Sequence, residues 1–198
     1  MRNPTLAAFV FKNRGLLLAL PAVALVIFGR PSALSIALGV PLAFAGELVR
    51  CWAVGYSGTT TRNDVVTAPE LVTAGAYAYV RNPLYLGNFA TAAGFAIAFT
   101  GSNAPAERAA LIVAALAVMA AVYATIVPHE EQFLRAQFGE AFERYCSSVP
   151  RIVPKLGPAP GGNGMWRRDV LLQAESKTFV LFGVMLVALA LRAIAGRI

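Results

Sequence analysis

The chain alternates long apolar stretches with short polar ones, and five of the apolar stretches have the length and purity of helices immersed in a lipid-like solvent. They cover residues 15–28, 32–53, 84–100, 109–127 and 178–195. The fourth is nineteen residues without a charge, enough to cross a hydrocarbon core of about 30 Å. The first, at fourteen residues, is short for that role unless it begins earlier, with Lys12 and Arg14 extending to the interface. Gly29-Arg30-Pro31-Ser32 reads as a tight turn, so the first two spans are expected to form an antiparallel hairpin. Ahead of them, residues 6–11 form a small apolar piece suited to lying along the interface.

Polar positions inside this pattern carry the first chemistry. Glu47 and Arg50 are three apart near the end of the second span, hence on one face. At membrane depth such residues mark a candidate site; near the interface they are a plain ion pair. The third span repeats Gly87, Thr91, Gly94 and Ala98 along one face, a small-residue stripe that predicts close approach of another helix. A polar loop, residues 55–81, with Ser57, Arg62, Asn63, Asp64 and Glu70, leads into Asn82-Pro83. There Asn82 suits an N-cap and Pro83 the first helical position, and the unpaired amides of a helix start suit an anion. Pro128 is expected to break or bend the fourth helix. Beyond it Leu134, Phe138, Phe142 and Tyr145 share a helical face, predicting an amphipathic surface helix with Glu131/Arg135 and Glu140/Arg144 as i,i+4 pairs. Residues 154–165 form a Pro/Gly-rich linker, either a connector or a lid. No internal repeat is evident.

Composition agrees with the pattern: 58% hydrophobic residues, 14% charged and a mean hydropathy of +0.63 describe a polytopic membrane protein. The net charge of +7 is spread between apolar segments rather than gathered into a patch, so it argues for membrane orientation and against nucleic acid. Of the 17 Lys and Arg residues, 13 fall in the N-terminal segment, in Arg50 with the following loop, and in residues 128–177, leaving 4 in the alternate segments. The positive-inside rule therefore places the N-terminus, the 54–83 loop and the 128–177 segment in the cytoplasm, on one side of the membrane. Cys51 and Cys146 stand far apart without companion ligands, which predicts neither a disulfide framework nor a metal site. No cleavable signal peptide is convincing, so the first apolar run is expected to be retained.

Two motifs then stand out: Gly75-x-Tyr77-x3-Arg81-Asn82-Pro83-x-Tyr85-x-Gly87, and Glu130-Glu131-x2-Leu134-x3-Phe138-Gly139-x2-Phe142-x2-Tyr145-x3-Val149-Pro150-Arg151. In this order, with two membrane spans between them, they resemble the isoprenylcysteine carboxyl methyltransferase and phospholipid methyltransferase families of integral membrane enzymes. The match covers mainly residues 70–151, with weaker similarity at Arg50-Cys51-Trp52-Ala53. The resemblance implies one domain over residues 1–198, an all-α membrane bundle of about five transmembrane helices plus a cytoplasmic amphipathic helix, and an active site at the cytoplasmic face, for a bacterial protein of the inner membrane. It implies S-adenosylmethionine as methyl donor, held by Tyr79, Arg81, Asn82, Pro83, Tyr85, Gly87, Glu130 and Glu131. The commonest family motif has His where this chain has Asn82.

These residue types fit that donor. A helix N-terminus can hold its carboxylate, Glu130 or Glu131 its ammonium, and tyrosine faces its sulfonium. His129 and Arg151 are the candidate catalytic residues, as base and as holder of an anionic group. Glu47, Arg50 and Tyr145 are candidates for the acceptor side. The acceptor implied is a lipophilic membrane-embedded molecule carrying a carboxylate of the isoprenylcysteine type; the alternatives are a phospholipid amine, a nicotinamide-dependent reductase of the steroid-reductase type, and a small transporter or structural protein. Membrane lipids are expected partners, nucleic acid is not, and the pattern is silent on oligomeric state.

Overall fold

The computed structural model describes residues 6–58 and 68–196, and its regular secondary structure is helical: α1 (Leu6–Phe28), α2 (Ala33–Ser57), α3 (Pro83–Phe99), α4 (Pro105–Phe138), α5 (Glu140–Ser148) and α6 (Arg168–Ala195), with a 3-10 turn at Gly75–Ala78. Helices α1, α2, α4 and α6 are each long and apolar enough to cross a membrane, and α3 is a shorter apolar helix of 17 residues. The chain is thus a polytopic membrane helix bundle. Its outer faces carry large apolar side chains left open, such as Leu16 at 69%, Leu48 at 69% and Val180 at 67% exposure. Lipid, not water, is the solvent such a surface needs.

The expected α1–α2 hairpin is present, and α2 opens with a reciprocal cap in which the Ser35 amide donates to Ser32 Oγ and the Ser32 amide to Ser35 Oγ. The small-residue stripe of α3 meets small residues of α2, Gly39, Ala43 and Gly46. A β-carbon added at Gly46 would fall 2.5 Å from the Thr91 nitrogen and 2.6 Å from the Gly87 carbonyl, and one at Gly94 would fall 2.4 Å from the Ala43 nitrogen. These backbones touch, and only glycine permits it. An apolar core of Leu25, Phe95, Phe99, Phe182 and Met185 joins α1, α3 and α6; a second, of Phe11, Met119, Val122, Tyr123 and Ile126, joins α1 to α4.

Several sequence expectations are corrected. The interfacial piece and the first span are one continuous helix, α1. Pro128 does not end α4, which runs on to Phe138; Pro128 is exposed, so its ring and missing N–H fall on the outer side of the helix. The amphipathic segment is two helices, because Gly139 takes a left-handed φ of +48° between α4 and α5. Its apolar face still converges, with Leu134 and Phe138 from α4 packing on Phe142 and Tyr145 from α5. Arg135 pairs with Glu143 at 2.5 Å rather than with Glu131, whereas Glu140 and Arg144 do pair, at 3.5 Å. The 55–81 loop lies in part, at Arg62, Asn63 and Asp64, outside the described residues.

Candidate functional site

The second motif delivers two adjacent glutamates at the end of α4 that point into different environments. Glu131 is buried and held by two arginines: Arg81 Nε donates to Oε1 at 3.1 Å, and Arg151 donates to Oε2 through Nε at 3.0 Å and Nη2 at 2.5 Å. Arg81 also donates through Nη1 to the carbonyls of Cys146 and Val149, while its amide donates to the Pro150 carbonyl. One carboxylate thereby ties the α3 entry, α4 and the segment after α5. Glu130, on the wall of the same central cavity, accepts a hydrogen bond from Tyr85 Oη at 2.7 Å instead of pairing with those arginines.

Asn82 precedes α3 and Pro83 occupies its first turn, as the sequence predicts, but the Asn82 side chain makes no capping bond. Its Nδ2 turns to Glu131 Oε1, 3.4 Å away, and to the Arg151 carbonyl at 3.1 Å. A position expected to cap a helix serves the glutamate clamp instead. Tyr145 reaches the same region from α5, donating to the Tyr77 carbonyl at 2.8 Å. Burial, followed by the proximity of Tyr77, drives the Tyr145 phenol far above its ordinary value, and burial drives Tyr77 likewise, so both remain neutral.

The linker between α5 and α6 is laced to this mouth. The amides of Thr73 and Ala74 donate to the Asn163 carbonyl, Asn163 Nδ2 donates to the Leu71 carbonyl at 3.2 Å, and the amides of Lys155 and Ala159 donate to the carbonyls of Tyr79 and Ala78. The Arg167 amide donates to the Gly55 carbonyl. A loose tether would show none of these bonds.

Deeper in the bundle, Arg50 donates through Nη2 to both Oε atoms of Glu175 at 2.8 Å, donates to Asn88 Oδ1, and stands 3.6 Å from Glu47. Asn88 Nδ2 donates in turn to Tyr123 Oη at 2.7 Å. Helices α2, α3, α4 and α6 are therefore joined through one polar chain among apolar surroundings. Glu175, fully buried, falls outside the apolar pattern, which begins at Thr178; a lone acid three residues before that run is the available signal. Asn88 and Tyr123 were hidden by the small-residue stripe and by the uncharged fourth span.

A cavity of about 1260 Å³ connects these places. Its mouth is lined by Glu70, Tyr77, Arg81, Asn82, Pro83, Tyr85, Glu130, Glu131 and Tyr145; Glu47, Arg50, Asn88 and Tyr123 line its middle; Leu25, Phe95, Ala115, Phe182, Met185 and Ala188 line its apolar end. The other sequence candidates lie off its wall. His129 packs edge-on against the Phe11 ring, at 6.5 Å, and Tyr79 packs on Trp52 at 5.7 Å. Gly87 is a contact point for α2, where a β-carbon would come 2.7 Å from Arg50 Cγ. Arg151, its side chain 46% exposed, acts on Glu131 from the rim. No cluster of His, Cys, Asp and Glu suited to a metal ion occurs among the described residues.

A helical membrane bundle enclosing a chamber that is polar at one end and apolar at the other defines the class. Within it, the model of the phospholipid methyltransferase family matches residues 34–141, more than half of the 198-residue chain, and the chain belongs to that family. It is 30% identical over 119 residues to the cobalt-zinc-cadmium resistance protein CzcN of Cupriavidus metallidurans, covering 60% of this chain and 47% of that one. It is 31% identical over 120 residues to the nickel-cobalt-cadmium resistance protein NccN of Alcaligenes xylosoxydans xylosoxydans, covering 60% and 48%. Over another 120 residues it is 28% identical to protein-S-isoprenylcysteine O-methyltransferase B of Arabidopsis thaliana, covering 59% and 57%. The chain thus spans about half the length of the curated relatives it matches. No solved structure matches it.

Proposed function

We propose that the protein is an S-adenosylmethionine-dependent methyltransferase acting on a lipophilic acceptor, with residues 1–198 as one working domain and its site on the cytoplasmic face of a bacterial inner membrane. One observation carries the reading: both motifs of the family meet at the polar mouth of a single cavity whose other end is apolar. Such a chamber lets a water-soluble donor and a lipid-soluble acceptor meet.

The residues present fit the donor. Glu130 faces the cavity with a carboxylate that can pair with an ammonium, and the start of α3, through Leu84 and Tyr85 on the cavity wall, offers the positive end of a helix to a carboxylate. The faces of Tyr85 and Tyr77 suit a sulfonium. When bound, the donor supplies an electrophilic methyl group. The chain's contribution is to orient both partners and exclude water: Glu131 locks the mouth through Arg81 and Arg151, and the Arg50–Glu175 pair fixes the wall between mouth and chamber.

The acceptor we favour carries a carboxylate, in line with the isoprenylcysteine O-methyltransferase name of the Arabidopsis relative; an amine of a phospholipid, the lipid class in the family description, is the second reading. A carboxylate needs no base, which suits a site whose single histidine packs on Phe11 away from the cavity. Incubating the purified protein with methyl-labelled donor and a native membrane lipid extract tests this. Label is expected in a base-labile methyl ester of the lipid fraction. Base-stable label would select the amine, and no donor-dependent labelling by folded protein would remove the methyltransferase reading.

A further inference from the structure

Arg14 belongs to neither motif and lies on α1, outside the matched residues 34–141. An arginine near the end of a membrane helix is ordinarily an anchor reaching out to the interface. The geometry here is different. Phe11 and Leu18, one turn on either side of Arg14, pack in the cluster that joins α1 to α4, whereas Leu16 and Leu20 face outward at 69% and 61% exposure. Arg14 is on the inward side. Its Nη1 donates to the Phe11 carbonyl at 2.6 Å, its guanidinium carbon stands 4.1 Å from the Phe11 ring centroid, and it lines the cavity.

Its level along the cavity matters as much. The same cavity wall carries Glu130 of α4, Tyr85 of α3 and Tyr123, and both tyrosines belong to the cluster that holds Phe11. Beyond it the wall turns apolar, through Leu18, Ala22 and Met119 to Phe182 and Met185. A guanidinium is thus set on a wall that turns apolar along α1, in the same cavity as the glutamate assigned to the donor's ammonium. An amphiphile lying along this wall with its tail in the chamber brings its head to Arg14.

We infer that Arg14 is the headgroup-binding residue of the acceptor site, and that the acceptor is an anionic amphiphile, its carboxylate or phosphate held by Arg14 and its tail by the chamber between α1 and α6. This assignment rests on the methyltransferase reading for its purpose, not for its test. Arginine suits the role because its planar fork binds such oxyanions through paired charge-assisted bonds. With Glu130 facing a cationic donor, the two ligands lie side by side with their charges matched.

The test is equilibrium binding of labelled hexadecyl phosphate, palmitate and hexadecylamine to the full chain in phosphatidylcholine nanodiscs. Inorganic phosphate serves as the tail-free competitor. The two anionic amphiphiles are expected to bind at least about tenfold more tightly than the amine, with inorganic phosphate failing to displace them. Arg14→Gln should abolish that preference and leave the amine's affinity as it was, and Arg14→Lys should restore most of it. Where Arg14→Gln does not fold, Arg14→Met, which keeps the stem packed on Phe11, takes its place. Equal affinity for all three heads, an unchanged preference in the variants, or displacement by inorganic phosphate alone would overturn the assignment. Donor titration of the unmodified chain, run in parallel, reports on the methyltransferase reading separately: donor binding without head selectivity sinks only the Arg14 assignment.

Discussion

The protein contains two arginine–glutamate clusters of inverted design. At the mouth one carboxylate, Glu131, is gripped by two guanidinium groups, Arg81 and Arg151; in the bundle one guanidinium, Arg50, bridges two carboxylates, Glu47 and Glu175. The mouth cluster joins segments that would otherwise be loops, through Arg81 to the carbonyls of Cys146 and Val149 and through Asn82 to that of Arg151. The deep cluster joins helices. Exposure separates them further, since Arg151 is 46% exposed while Arg50 and Glu175 are buried. The same chemistry therefore shapes a polar binding mouth in one place and fixes helix positions in the other, and the consequences of breaking each should differ in kind.

The largest effect is expected in the deep cluster. Glu175→Leu removes the two Nη2 bonds of buried Arg50, which keeps Glu47 and Asn88, and should destabilise the fold by about 2–3 kcal/mol. Thermal unfolding in detergent would register this as a drop in midpoint, and adding Arg50→Leu together with Glu47→Gln, so that no buried charge is left alone, should recover most of it. A single variant as stable as the parent would mean that α6 is not held by this pair.

A smaller and different effect is expected at the mouth. Glu131→Gln weakens the hold on Arg81 and Arg151, and because Arg151 is half exposed the loss in midpoint should be well below that of Glu175→Leu. Proteolytic sensitivity between residues 149 and 165 should rise instead, since that segment is tied down through Arg81 and the linker bonds. Equal losses of midpoint from both variants would erase the distinction between the clusters.

The exposed pair Arg135–Glu143 supplies the smallest case. It has short geometry without burial, and Glu143→Gln should leave both unfolding midpoint and donor affinity unchanged. A clear change in either would show that the α4–α5 junction transmits to the site.

Much of this architecture was legible in the chain because its solvent is lipid. Uninterrupted apolar runs locate the helices, and the Gly87-Thr91-Gly94 stripe announces the α2–α3 contact. The site was readable only where residues lie close in sequence or share a motif: Asn82, Tyr85, Glu130 and Glu131 do line one mouth. What stayed hidden required a partner far along the chain. Nothing near Glu131 says that it belongs to Arg81 and Arg151 rather than to Arg135, and nothing near Arg50 points to Glu175, 125 residues on. Conversely, His129 is adjacent to the paired glutamates in sequence, yet its place on α4 turns it towards Phe11.

Glu130 is where the account is most exposed, because it sits beside Glu131 but is assigned to the donor instead of the scaffold. Isothermal titration of S-adenosylmethionine and its demethylated product into the purified protein and into Glu130→Gln tests this directly. Micromolar binding to the parent is expected, with at least about a tenfold loss in Glu130→Gln at an unchanged unfolding midpoint. Donor affinity that survives in Glu130→Gln, or that is absent from the folded parent, would contradict the assignment of this mouth to the donor.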